Sequence, residues 1–169
     1  GYGLDKETEI KQLEVMKAIN EDPMRKVDIA TTFLGAHAVP TEYKGREDEY
    51  IDFLIEEMMP LIQEKGLAEH CDIFCEKGVF TVEQSRRLLQ AAKVKGFGVK
   101  IHADEIVSFG GAELAGELQA LSADHLLHAS DAGIQAMADN HVVATLLPLT
   151  AFTLREPYAR GREMIDRGC

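Results

Sequence analysis

A short apolar segment in the middle of the chain ends in a histidine and two carboxylates, in the run Gly98-Val-Lys-Ile-His-Ala-Asp-Glu105. Imidazole is a metal ligand, and a carboxylate three residues further on can reach a water molecule bound to that metal. His102 and Glu105 are therefore the first candidates for chemistry. The alternative is a strand that ends in a charged turn, because an isolated His-x-x-Glu pattern arises easily by chance.

The apolar residues before His102 are typical of a buried strand, and comparable segments recur along the chain. The predicted strands are the segments 27–37, 71–76, 98–103, 123–128 and 141–148. Helical periodicity predicts helices between them, the first capped by Asp5 and a later one opened by a capping box at Thr81. Strands that alternate with helices predict an α/β protein with a parallel sheet.

Two architectures share this alternation, an open doubly wound sheet and a closed barrel. Histidines or acids end four of the five predicted strands, at His37, Glu76, His102 and His125. An open sheet gathers its ligands mainly at one switch point, and no Gly-x-Gly-x-x-Gly run or P-loop follows any strand. The pattern therefore favours a (β/α)8 TIM-type barrel, in which the strand ends share one mouth. Eight βα units need about 250 residues, so we expect this chain to supply about five of them.

Composition excludes some partners. The chain has 169 residues, and 29 Asp and Glu against 18 Lys and Arg give a formal net charge of −11. Nucleic acid is not expected as a partner, because phosphate binding needs clustered basic residues. No apolar run approaches the roughly 20 residues that span a bilayer, so no membrane partner is expected. Cys71 and Cys75 are four residues apart in one predicted strand, too far to bridge, and reduced thiols fit a cytoplasmic protein.

Five motifs occur in order along the chain: Thr31-Thr-Phe-Leu-Gly-Ala-His-Ala-Val-Pro40, Phe74-Cys-Glu-Lys-Gly-Val-Phe80, Lys100-Ile-His-Ala-Asp-Glu105, Ser122-Ala-Asp-His-Leu-Leu-His128 and Leu147-Pro-Leu-Thr-Ala-Phe-Thr-Leu-Arg-Glu-Pro-Tyr158. Together they resemble the imidazolonepropionase family, metal-dependent cyclic amidohydrolases of histidine degradation, and the similarity runs over essentially the whole chain. The resemblance implies that residues 1–169 are part of an amidohydrolase barrel domain. The implied reaction is hydrolysis of the ring amide of 4-imidazolone-5-propanoate to N-formimidoyl-L-glutamate by a metal-activated water.

The same resemblance assigns roles to individual residues. His102 would be a ligand of a single zinc or iron ion. Glu105 would contact the attacking water and the substrate, and His125 would assist the tetrahedral intermediate. His37 and Tyr2 would contact the substrate. A homodimer is one option for the assembly, which the sequence does not decide.

Parts of the family pattern are absent from the chain. The His-x-His element of the first barrel strand, an arginine after it and the metal-binding Asp after the last strand do not occur. We therefore expect an internal portion, about strands three to seven, which by itself would be inactive. Two alternatives stay open: a different cyclic amidohydrolase or deaminase of the same superfamily, and an inactive barrel fragment lacking part of the metal site.

Overall fold

A computed structural model describes residues 3–169 of the chain. Five parallel strands form one sheet in the order in which they occur along the sequence. The strands are β1 Thr32–Ala36, β2 His70–Cys75, β3 Gly98–Ala103, β4 Ser122–His125 and β5 Val143–Thr145. The predicted α/β class with a parallel sheet is confirmed.

Helices connect the strands. They are α1 Lys6–Glu21, α2 Glu47–Phe53, α3 Met59–Lys65, α4 Val82–Val94, α5 Gly111–Glu117, α6 Asp131–Asp139, α7 Pro148–Leu154 and α8 Gly161–Arg167. A 3₁₀ turn at Thr41–Tyr43 precedes α2, and a π-helical turn at Leu54–Met58 joins α2 to α3. Residues 47–65 therefore form one continuous helix with a π-bulge.

The two faces of the sheet differ in burial. Helix α4 packs against β2 and β3, and α5 packs against β3 and β4. In β3, the side chains of Val99, Ile101 and Ala103 are buried on this helix-covered face, whereas alternate residues such as His102 are only partly buried. The strand period of two thus divides β3 and β4 into a buried face and a partly exposed inner face. The inner face is the one that carries the polar side chains.

Local signals place several helix ends where the sequence predicts them. The Asp5 side chain accepts a hydrogen bond from the backbone N–H of Thr8 at 2.8 Å, which caps α1. Thr81 and Gln84 form a reciprocal capping box at the start of α4. Gly66 ends α3 in the left-handed conformation, with φ of 59°. The predicted caps at Asp5 and Thr81 are confirmed.

The first, fourth and last observed strands are shorter than the predicted ones, and the fourth, predicted over 123–128, ends at His125 because His125 and Leu126 have positive φ. Residues 27–31 lie outside β1, because the Asn20 side chain satisfies the backbone of Ile29 by donating to its carbonyl and accepting from its N–H, at 2.7 and 2.9 Å. The predicted strand 141–148 is reduced to Val143–Thr145, since Pro148 lacks an N–H and begins α7 instead. Side-chain bonding and proline chemistry, rather than hydrophobicity, set the boundaries of β1 and β5.

The described cysteines are all reduced, as predicted, and Cys71 and Cys75 are fully buried. Burial raises the pKa of Cys75 to about 11, so its thiol stays protonated. Within residues 3–169, none of the helices combines the length and the hydropathy needed to cross a membrane.

Candidate metal and catalytic site

Three histidines at or just after the carboxyl ends of β1, β3 and β4 lie in a row. The ring centroid of His37 is 5.6 Å from that of His102, and His102 is 5.3 Å from His125. Phe74 stacks on His37 with centroids 5.4 Å apart. The carboxyl ends of β1, β3 and β4 therefore bring the three predicted site histidines together.

His102 is oriented by a carboxylate from the neighbouring strand. Its Nδ1 lies 3.1 Å from Oδ1 of Asp72, a residue only 4% exposed. A carboxylate accepts but does not donate, so the Nδ1 atom carries the proton and Nε2 keeps a lone pair for a ligand. Burial opposes a positive charge on His102, but the hydrogen bond and charge of Asp72, together with Asp124 and Glu105, raise its pKa.

Asp124 completes a set of donors around His102. It pairs directly with His102 in the parallel ladder between β3 and β4, so both side chains share the inner face. One ligand atom from each of Asp72, His102 and Asp124 can be chosen so that all three lie within 4.8 Å of one another. Oδ1 of Asp124 is buried and has no hydrogen-bond partner among the described residues.

This donor set fits a metal cation. An imidazole and a carboxylate are ligands that zinc and iron accept, so Nε2 of His102 and the carboxylate of Asp124 could both bind a cation while Asp72 orients the ring through Nδ1. The unpartnered carboxylate oxygen of Asp124 would otherwise be a buried acceptor left unsatisfied, which costs free energy. A cation here would satisfy that oxygen and neutralise part of the negative charge.

Glu105 and His125 lie beside this donor set. Oε1 of Glu105 is 3.3 Å from Nδ1 of His125, close enough for a charge interaction but without hydrogen-bond alignment, and the side chains are only 12% and 9% exposed. Burial raises the pKa of Glu105; the charge of His102 opposes the rise and the charge of Glu76 adds to it. Burial and His102 both lower the pKa of His125. The pair therefore combines a carboxyl with increased proton affinity and an imidazole that favours the neutral form.

Backbone conformation brings His125 to this edge. His125 pairs with Ala103 in the ladder, and the strand period would place it on the helix-covered face. Both His125 and Leu126 have positive φ values, 75° and 60°. This left-handed turn ends β4 and lets the imidazole lie next to His102.

The remaining candidates are placed as follows. Burial, and then the charge of His102, lower the pKa of His37. Tyr2 lies outside the described residues. Nε2 of His128 is 3.5 Å from Oε2 of Glu156. Glu76, the acid at the end of the second predicted strand, accepts hydrogen bonds from the backbone N–H groups of Lys77 and Ile106.

Asp72 and Asp124 are residues that the sequence interpretation missed. Both are acids inside otherwise apolar strands, and a buried acid in a strand needs a partner. Asp72 shares a face with Phe74, which pairs with His102, and Asp124 pairs with His102 directly. The sequence shows two acids inside apolar strands, whereas the strand pairing that brings them beside His102 follows from the structure.

Curated relatives match the chain from end to end. A protein of Phocaeicola vulgatus named imidazolonepropionase is 79% identical over 169 residues. The chain is similar to imidazolonepropionases over its whole length. Those of Bacteroides thetaiotaomicron and Clostridium tetani are 75% and 62% identical over 169 and 168 residues. The resemblance stated from the motifs is confirmed.

The chain spans only about two fifths of the length of these imidazolonepropionases: 41% of the Phocaeicola vulgatus protein and 40% of the Bacteroides thetaiotaomicron protein. No protein-family model matches the chain. Among solved structures, a Xaa-Pro dipeptidase with methionine bound in its active site is similar, with a TM-score of 0.52 and 15% identity over 85% of this chain and 39% of that one. This structural likeness supports the α/β fold alone.

Proposed function

We propose that the full-length protein containing this chain hydrolyses the ring amide of 4-imidazolone-5-propanoate to N-formimidoyl-L-glutamate. The observation that carries the proposal is the grouping of Asp72, His102 and Asp124 beside Glu105 and His125 at one edge of the sheet. Amide hydrolysis needs a Lewis acid, a proton acceptor for water and a donor toward the developing oxyanion. The grouping offers residues for all three tasks.

The architecture in this proposal is a (β/α)8 barrel, of which residues 1–169 form a part of the catalytic domain. Sequential strand order without a reversal supports it, as does the packing of α4 and α5 against β2, β3 and β4. At the β5 side of the sheet, several large apolar side chains are exposed, as they would be where further βα units pack. They are Val143, Leu149, Phe152, Leu154 and Ile165.

His102 is the proposed ligand of one zinc or iron ion, with Asp72 orienting its ring and Asp124 facing the same space. A bound ion of this kind supplies Lewis-acid polarisation of the ring carbonyl and lowers the pKa of the attacking water. The remaining ligands of a complete site would come from segments of the full-length protein that this chain does not contain.

Glu105 and His125 are the proposed catalytic residues. Glu105 takes a proton from water as the water oxygen attacks the ring carbonyl, and it passes that proton to the ring nitrogen as the C–N bond breaks. The raised pKa of Glu105 suits such a shuttle, because the acid must both accept and release the proton. His125, held neutral by burial and His102, donates an N–H toward the developing oxyanion. His37 and Tyr2 are the proposed contacts to the substrate.

The proposal also includes a cytoplasmic location, which three reduced cysteines support. A homodimer is one proposed assembly, and light scattering after size-exclusion chromatography would test it.

The test of function is turnover of 4-imidazolone-5-propanoate by the purified full-length protein, with N-formimidoyl-L-glutamate identified by mass spectrometry. Turnover of other cyclic amides or of deaminase substrates instead would replace this proposal with another reaction of the same superfamily.

A further inference from the structure

Two buried carboxylates accept hydrogen bonds from backbone N–H groups near Glu105. The first is Asp104, which is 0% exposed. Its Oδ1 accepts hydrogen bonds from the backbone N–H groups of Phe109, Gly110 and Gly111 at 2.7, 3.0 and 3.3 Å, and its Oδ2 accepts from Ala112 at 2.8 Å. Four N–H donors at the start of α5 thus converge on the residue that precedes Glu105.

The second carboxylate is Glu76, directly after β2 and also 0% exposed. Its Oε2 accepts from the N–H of Ile106 at 2.8 Å, and its Oε1 accepts from the N–H of Lys77 at 2.8 Å. Glu76 therefore holds the backbone immediately after Glu105, from the neighbouring strand. The loop is anchored on both sides of the proposed proton carrier.

Asp104 also ties this loop to the turn that carries His125. Its backbone carbonyl accepts from the N–H of His128 at 2.8 Å, and the carbonyl of Ala103 accepts from Leu126 at 3.0 Å. Asp104, His125 and Leu126 all have positive φ, at 50°, 75° and 60°. Left-handed backbone is unfavourable for a residue such as leucine and persists only where surrounding contacts hold it.

We propose that Asp104 and Glu76 are positioning residues, which fix the backbone on both sides of Glu105 and keep its carboxylate at the distance from His125 seen in this structure. The role in turnover rests on the proposed function, whereas the anchoring of the loop does not. Neither residue touches the reacting atoms; both act through the backbone of Glu105. Both carboxylates accept hydrogen bonds from backbone N–H groups.

The arrangement explains why two acids next to each other have different tasks. Asp104 and Glu105 are adjacent, yet the left-handed backbone at Asp104 sends its side chain into the start of α5, while Glu105 stays beside His125. A displacement of a catalytic group by about 1 Å can reduce a rate on the order of 100-fold. Loss of either anchor should therefore lower turnover more than it lowers substrate binding.

The test uses Asp104→Asn and Glu76→Gln in the full-length protein. Both substitutions preserve side-chain volume, but each replaces one accepting oxygen with an NH₂ group, which cannot accept a hydrogen bond from a backbone N–H. We expect kcat per folded, metal-loaded molecule to fall on the order of 10-fold to 100-fold, with a much smaller change in KM. Backbone hydrogen exchange should accelerate at residues 106–112, and also at Lys77 in Glu76→Gln, and stay unchanged elsewhere. Thr81→Ala is the matched control, because it removes a helix-capping oxygen from α4 but no anchor of Glu105.

Lower thermal stability with normal kcat and normal exchange at residues 106–112 would overturn the proposal, as would faster local exchange with normal kcat. Where Asp104→Asn does not fold, Glu76→Gln decides by the same two readouts. If the unmodified protein does not hydrolyse 4-imidazolone-5-propanoate, the proposed function fails. Hydrogen exchange then decides on its own: faster exchange confined to residues 106–112, with Lys77 added in Glu76→Gln, supports the anchoring, and unchanged exchange at residues 106–112 refutes it.

Discussion

Oδ1 of Asp72 lies 3.1 Å from Nδ1 of His102, across the boundary between β2 and β3. The carboxylate is buried and the imidazole is 15% exposed in its side chain. This contact fixes which ring nitrogen is protonated and how the ring is turned. A carboxylate behind a ligating histidine is a recurrent feature of metal sites, because it both orients the ring and increases its basicity.

Asp72→Asn should weaken metal binding by the full-length protein about 10-fold to 100-fold, as is typical when the partner of a ligating histidine is removed. The amide can offer an NH₂ group to Nδ1 and favour the opposite tautomer. Competition with a chelator of known affinity measures the change, and ¹⁵N chemical shifts of His102 report the tautomer. Asp139→Asn, at an exposed acid on α6, is the charge-matched control. Unchanged affinity and an unchanged tautomer would contradict the orienting role of Asp72.

Gly116→Ala should destabilise the protein by about 1–3 kcal/mol, the usual cost of overpacking a core. A Cβ at Gly116 would lie 2.6 Å from the backbone C and O of Ala136, so helices α5 and α6 would have to separate. Gly161→Ala is the comparison, because the Cβ there would meet only the terminal methyl of Leu146, at 2.8 Å, which can rotate away. Chemical denaturation measures both. Equal free energies of unfolding for the two variants would show that α5 and α6 do not pack closely at Gly116.

Asp5→Ala should destabilise the folded state at neutral pH and have less effect in acid. The backbone N–H of Thr8, and then its hydroxyl, lower the pKa of Asp5 below its usual value of 3.8. A lowered folded-state pKa means that the carboxylate stabilises the fold above pH 3.8 and that this contribution is lost as the pH falls through the folded-state pKa.

Unfolding free energies of the native chain and Asp5→Ala, compared between pH 7 and pH 3, measure this effect. Asp5→Asn serves as the control, because an amide oxygen caps the helix without titrating. Its advantage over Asp5→Ala should not vary with pH. A difference between native and Asp5→Ala protein that stays constant with pH would rule out the capping carboxylate as its source.

Much of the fold follows from local sequence signals. The apolar runs before Cys75 and Ala103 define two central strands, and Asp5, Thr81 and Gly66 mark helix ends through ordinary capping chemistry. The edge strands were overestimated. Hydrophobicity does not reveal that Asn20 bonds to the backbone of Ile29, because that contact joins a side chain near the end of α1 to the segment before β1.

The candidate site was predicted only in part. His37, His102 and His125 were identified from strand ends and do lie together. Asp72 and Asp124 were missed because they lie inside strands, where only the pairing register shows that they flank His102. The position of His125 depends on two successive residues with positive φ, which no residue type at 125 or 126 predicts. Tertiary contacts, more than local propensity, determine these features.

The central claim is that His102, with Asp72 and Asp124 beside it, holds the metal used for hydrolysis. The most direct measurement is the metal bound per molecule of full-length protein by elemental analysis, compared between the native protein and His102→Ala, with hydrolysis of 4-imidazolone-5-propanoate followed in the same samples. We predict one zinc or iron ion and turnover in the native protein and in a His141→Asn control, and loss of both in His102→Ala. Full metal content and undiminished hydrolysis in His102→Ala would contradict the account.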